Sequence, residues 1–199
     1  MVLCSDLIGH RSLTQLVLYV ADLRETAAIE ALVDVANEKQ LTILHLDACM
    51  LRRVASPALT RLLGGCSLTS LYISYCVVHD DNLEITPAFS NAVRSSRLHR
   101  LTLRQVRLFD FLANGLDLVA AVTRHPTLQH INLSCNDPEL QHRSAVGAAL
   151  GALVAANSPS LTSLKIWSSR LGDAGMRPLS WMRCRVTPSF CALIVRVTT

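Results

Sequence analysis

The chain has 199 residues, half of them hydrophobic and only 17% charged, with a formal net charge of +4. A chain of this length buries a sizeable core as one domain or a very small pair, and its apolar share excludes a disordered polypeptide. No Lys/Arg run reaches the density of a nucleic-acid-binding arm, so nucleic acid is not an expected partner.

The first residues, Met1 to Asp6, carry no basic stretch leading into a long apolar one, and a secretory signal is not expected there. From Leu13 onward the pattern L-x-x-L-x-L recurs six times with conservative replacements. It reads Leu13/Leu16/Leu18, Leu41/Leu44/Leu46, Leu68/Leu71/Ile73, Leu98/Leu101/Leu103, Leu128/Ile131/Leu133 and Leu161/Leu164/Ile166. A period of two within each L-x-L sends the leucines to one face of a short strand and the residues between them to the other. Between the strands the period changes to that of a helix. Ile29, Leu32, Val33 and Ala36 form one apolar stripe; Leu59/Leu62/Leu63, Phe89/Ala92/Val93 and Leu118/Ala121/Val122 form shorter ones. The longest uncharged apolar run, 145–156, is too short for the ~20 residues of a bilayer span and reads as a buried helix with Val146, Ala149, Leu150, Leu153 and Val154 inward. Ser56-Pro57 and Thr86-Pro87 read as a capping hydroxyl followed by a first-turn proline. Ser144 is the expected cap of the long helix, and Gly64 the expected stop of the helix before it.

One strand and one helix cannot bury their own apolar faces, so each unit is stabilised by stacking on the next. The expected fold class is α/β: a leucine-rich-repeat solenoid, a horseshoe segment with a parallel concave sheet and convex helices, in about six repeats over 1–182. Residues 183–199 read as an irregular tail with strand-like apolar runs. Truncating a ladder leucine to Ala is expected to cost ~2–5 kcal/mol. Two departures stand out. Unit five has Pro138 in place of a leucine and a polar loop from Glu139 to Arg143, so a bulge is expected there, and Pro178 interrupts the last helix. Neither end carries an obvious polar cap, which points to further repeats or another chain covering the ends.

On these residues the chain resembles the leucine-rich-repeat superfamily, in its ribonuclease-inhibitor-like and cysteine-containing types. The run Asn157 to Ile166, continued by Leu171-Gly172-Asp173-Ala174-Gly175, is similar to the inhibitor type. Leu68 to Cys76, followed by His79-Asp80-Asp81-Asn82-Leu83, is similar to the cysteine-containing repeats found beside F-box domains. The resemblance implies the fold over about residues 13–180. Position nine of each unit, where the family places Asn or Cys, holds Ala21, Cys49, Cys76, Val106, Asn136 and Ser169. Seven cysteines without a C-x-x-C pair predict reduced thiols and neither a disulfide framework nor a zinc site. Cys49 and Cys76 fall in adjacent units and read as small buried hydrophobes before a metal or redox pair.

The register also lays out the solvent face of the sheet. One column is Gln15, Ile43, Ser70, Arg100, His130 and Ser163; the middle one is Val17, His45, Tyr72, Thr102, Asn132 and Lys165; the third is Tyr19, Asp47, Ser74, Arg104, Ser134 and Trp167. Candidate partner-binding residues are Tyr19, His45, Asp47, Tyr72, Arg100, Arg104, His130, Lys165 and Trp167, because aromatic and Arg side chains are the usual binding anchors. Ser70, Ser74, Thr102 and Ser134 are expected to be simply solvated. Arg100 and Arg104 suit an acidic partner, or a salt bridge to Asp47. Six strands at ~4.8 Å spacing offer roughly 300 Å², against ~800 Å² per side in a standard interface, so flanking loops or further repeats must contribute.

No phosphate loop, nucleophile elbow or zinc-helix motif occurs, and His45 with Asp47 two residues on has no nucleophile beside it. The expectation is a non-enzymatic scaffold in the cytoplasm or nucleus that binds a protein partner, with no cofactor, metal or membrane. The resemblance also admits a substrate receptor of an F-box-type ubiquitin ligase or a GTPase activator of the Ran type, although no F-box is found in residues 1–12.

Overall fold

A computed structural model describes residues 13–65, 67–76, 83–156, 158–172 and, for the backbone, 192–194. In chain order the elements are β1 (Gln15–Tyr19), β2 (Asp22–Leu23), α1 (Thr26–Lys39), β3 (Ile43–Asp47), β4 (Met50–Leu51), α2 (Ala55–Gly65) and β5 (Ser70–Ser74). They continue with α3 (Pro87–Ser95), β6 (Arg100–Arg104), α4 (Leu112–Val122), β7 (His130–Asn132), a 3₁₀ turn (Leu140–His142), α5 (Arg143–Ala155), β8 (Ser163–Lys165) and β9 (Ala192–Ile194).

Every segment with the leucine alternation becomes a strand of one parallel sheet, in the order β1-β3-β5-β6-β7-β8-β9. Leu16, Leu44, Leu71, Leu101, Ile131 and Leu164 lie side by side in register. Leu44, Leu71, Leu101 and Leu164 are fully buried against the helices, in a core that also takes Ile29, Leu59, Phe89, Leu118 and Val146. The helices pack in succession, α1 on α2 through to α5. A two-stranded parallel pair, β2 with β4, lies past the ends of β1 and β3. The seventh strand, β9, comes from the segment read as a tail and pairs in parallel with β8.

The strand ends are held by two periodic devices. The first is a column of non-glycine residues with left-handed backbone, one after each strand: Val20, Ala48, Tyr75, Gln105, Cys135 and Ser168, with φ from 51° to 61°. Such a conformation costs an L-residue about 1–2 kcal/mol. In the first five the turn also aims the N–H at the next unit, Val20 at the Asp47 carbonyl (3.0 Å), Ala48 at Ser74 (2.9 Å), Tyr75 at Arg104 (2.9 Å), Gln105 at Ser134 (3.1 Å) and Cys135 at Trp167 (3.0 Å), so those donors are satisfied.

The second device is position nine. Asn136 is fully buried; its Oδ1 accepts from the N–H of Val106 (3.0 Å) and Leu108 (3.2 Å), and its Nδ2 donates to the carbonyls of Leu103 (2.7 Å) and Leu133 (3.0 Å). Cys49 and Cys76 do part of this with a thiol, which donates to Leu18 (3.5 Å) and Leu46 (3.6 Å) of the preceding strand. Both thiols are buried. The two thiols influence each other: the neighbouring Cys76 thiol lowers Cys49 to about 7, and Cys49 raises Cys76, whose burial acts in the same direction. Among the described residues no cluster of three or more His, Cys, Asp or Glu suits a metal ion.

Helix starts differ from the sequence expectation in two of three cases. Thr86 does cap α3, accepting from the Phe89 N–H at 3.2 Å with Pro87 in the first turn. Helix α2 instead begins at Ala55, one residue before Ser56, because a turn ahead of it already has Ala55 and Ser56 bonding back to Arg52 and Arg53. Ser56 is buried and faces the Thr86 hydroxyl (3.3 Å), and Pro57 is tolerated because first-turn N–H groups lack helical partners in any case. Ser144 does not cap α5: the 3₁₀ turn at Leu140–His142 feeds straight into the helix at Arg143 and supplies its first turn. That turn, with Pro138 buried before it, is the form taken by the polar insertion of unit five. Residues 77–82 and 173–191, which hold the His79 to Asn82 run and Pro178, lie outside the described residues. Among the described residues no helix is long and apolar enough to cross a membrane.

Candidate functional site

With the leucines turned into the core, the residues between them line the opposite face of the sheet, which no described helix or strand covers. Their columns follow the strand register: Arg100 pairs with His130 and His130 with Ser163, while His45, Tyr72, Thr102, Asn132 and Lys165 run across β3 to β8. A groove of about 470 Å³ opens there, and seven of the nine candidate residues line it: His45, Asp47, Tyr72, Arg100, Arg104, His130 and Lys165. Tyr19 lies at the edge of the row and is 64% exposed. Trp167 lies beyond β8 and joins the site through Arg104.

Arg104 organises the third column. Its guanidinium carbon sits 4.6 Å from the Tyr75 ring centre and 4.5 Å from that of Trp167, a cation held between two aromatic faces. Ser134, which stands between Arg104 and Trp167 in this column, is fully buried and not solvated as its column suggests. Ser70 and Ser74 are buried too, being short side chains set among Tyr72, Arg100 and Arg104; only Thr102 of the expected solvated set keeps partial exposure. No salt bridge joins Arg104 to Asp47. Arg104 Nε and Asp47 Oδ1 are both shielded from solvent without a hydrogen-bond partner.

His45 and Asp47 do not orient each other. The His45 ring instead packs between Tyr19 and Tyr72, with centroid separations of 6.0 and 5.1 Å and interplanar angles of 51° and 42°. His130 stands between Arg100 and Lys165. Partial burial and these two cations lower its pKa below the usual 6.5, so it is neutral at pH 7. The groove lining thus carries three fixed cations, Arg100, Arg104 and Lys165, and one carboxylate, Asp47. None of the three cations is in an ion pair among the described residues.

Tyr75 is the member of this site that the sequence register misses. Strict alternation after Ser74 points it to the core face, and the left-handed turn at φ 57° brings it back beside Arg104. A cue lay in the six-fold recurrence of a turn before position nine. A second cleft, of about 790 Å³, lies past the ends of β6 to β8 among Arg107, Asp110, Phe111, Cys135, Asp137 and Arg170. Both of its arginines are already paired, Arg107 with Asp110 (2.6 Å) and Arg170 with Asp137 (3.4 Å), Glu139 adds a further carboxylate, and Arg53 lies 5.5 Å from the Phe111 ring centre.

No protein-family model matches the chain, and no curated protein does. Among solved structures it is similar to the tropomodulin C-terminal domain of Caenorhabditis elegans, at a TM-score of 0.52 and 15% identity over 76% of this chain and 91% of that one. At that identity the likeness is one of fold. It supports a leucine-rich-repeat-like α/β arrangement with a parallel sheet.

Proposed function

We propose that this chain is a protein-interaction scaffold, a horseshoe solenoid of about six ribonuclease-inhibitor-like repeats that docks a partner protein on its concave sheet face and takes no catalytic step. The observation that carries this reading is the uncovered face itself. Its cations make no ion pair among the described residues, and the rings of Tyr19, His45 and Tyr72 pack in a row on this face instead of in the core. A surface that holds three unpaired cations in a groove is stabilised by contact with a second molecule more than by its own neighbours. The likeness of fold to the tropomodulin domain supports a repeat architecture of the kind that presents broad binding surfaces. The flanking turns, including Tyr75, enlarge the footprint beyond the strands alone.

The reading is tested by capturing partners on the immobilised full chain, identifying them by mass spectrometry, and measuring each against purified Trp167→Ala and Arg104→Ala chains. Docking on this face predicts that both substitutions weaken the same partner by about tenfold or more. Equal affinity for parent and variants moves the interface elsewhere.

A further inference from the structure

We propose that the open face recognises an acidic protein segment, with the Arg104 guanidinium, set between the Tyr75 and Trp167 rings, serving as a preformed carboxylate clamp. The proposal rests on the docking reading above and adds the partner's chemistry. Charge is the first ground: the groove presents Arg100, Arg104 and Lys165 against Asp47 alone, and these cations make no ion pair among the described residues. The second is orientation. Two ring faces hold the guanidinium, yet they use none of its N–H donors, and its terminal Nη groups make no hydrogen bond among the described residues. A guanidinium held flat with its donors unclaimed is matched to the two oxygens of a carboxylate, and its ordering cost is already met by the fold.

The third ground separates an acidic polypeptide from a nucleic acid strand. Single-stranded nucleic acid binds by stacking bases on open ring faces. Here the His45 ring is flanked by Tyr19 and Tyr72, and Arg104 covers one face each of Tyr75 and Trp167, so the exposed Tyr19 at the edge of the row is the ring most open to a base. Asp47, a carboxylate in the same groove, repels a phosphate backbone, whose charge recurs at every nucleotide.

The test is fluorescence anisotropy with the full chain and three labelled probes: a deca-glutamate peptide, a deca-lysine peptide and a ten-nucleotide DNA strand. The glutamate peptide is expected to bind best and to lose about tenfold in affinity between about 50 mM and about 500 mM NaCl. Arg104→Lys keeps the charge but not the flat fork, and is expected to weaken it by about tenfold. Arg100→Ala removes an exposed side chain outside the ring bracket, so its expected loss of severalfold is not a folding effect; circular dichroism verifies this. Equal binding of the lysine peptide, tighter binding of DNA, or unchanged affinity in both variants overturns the proposal. If captured partners respond to Trp167→Ala while the glutamate peptide fails, acidic recognition falls and docking on this face stands; if neither responds, both fall.

Discussion

Replacing Asn136 by Ala removes the amide that closes the turn after β7, and the cost follows from its bonds. The backbone N–H groups of Val106 and Leu108 lose their acceptor, and the carbonyls of Leu103 and Leu133 lose a donor, all at a fully buried position. Each buried donor left unsatisfied costs about 1–3 kcal/mol, so the two N–H groups together give about 2–6 kcal/mol. Set against a typical domain stability of about 5–15 kcal/mol, that is a large fraction. Asn136→Cys is the informative companion. A thiol there can donate to Leu103 as Cys49 donates to Leu18 and Cys76 to Leu46, and its sulfur accepts weakly, so about half the alanine loss is expected. Urea unfolding followed by far-UV circular dichroism measures both, with an unchanged denaturant slope showing that the native surface is the same. An alanine variant within about 1 kcal/mol of the parent, or a cysteine variant as unstable as the alanine one, refutes the role given to this side chain.

Two further outcomes rest on single residues. His125 is buried, its Nε2 donates to the Val93 carbonyl at 2.9 Å, and its Nδ1 accepts from the N–H groups of Thr127 and Leu128. Burial holds its pKa below the usual 6.5, so between the two values the unfolded chain binds more protons than the folded one. Stability from this group is full above the unfolded value and declines as pH falls through that window. The urea midpoint is expected to drop from pH 7.5 to about pH 5.5, and to drop less in His125→Gln; equal pH dependence in the two counts against it. Gly115 and Gly64 give opposite signs for one substitution. A Cβ on Gly115 comes within 2.7 Å of Phe109 Cδ1 and 2.8 Å of the Leu108 carbonyl, whereas nothing lies within 4 Å of one on Gly64. Gly115→Ala is expected to lose about 1–3 kcal/mol to overpacking despite its helix propensity, and Gly64→Ala to gain up to about 1 kcal/mol, read from thermal midpoints.

What was legible in the sequence was whatever repeats. The ladder leucines, the helical stripes and the columns of the open face follow from periods of two and 3.6, which local alternation alone determines. The misses occur where a residue answers to something distant. Ser56 is internal because the turn at Arg52–Val54 starts the helix first; Ser134 is buried in a column whose two outer members, Arg104 and Trp167, meet each other. Tyr75 reaches the groove because one φ changes sign. Strands β2 and β4, two residues each, are too short to leave a period at all. Seven of the nine candidate site residues line one groove, since register, once right, places every member of a column together.

The same devices that make the fold periodic give the site its character. Backbone bonds from the left-handed column fix the carboxyl end of each strand, and a matching set fixes the other: Thr42 bonds to Thr14, Thr69 to Thr42, His99 to Thr69 and Gln129 to His99, each at 2.8 Å. Side chains on the open face therefore start from positions set to a strand spacing of about 4.8 Å, and only their torsions remain to be ordered. Arg104 goes further, since its guanidinium is placed by two rings. The cleft past β6 to β8 is larger, yet both of its arginines are paired in place, so an acidic ligand there must first break Arg107–Asp110 or Arg170–Asp137. Binding free energy is gained where charges are held in position and left unpaired, and that separates the smaller groove from the larger one.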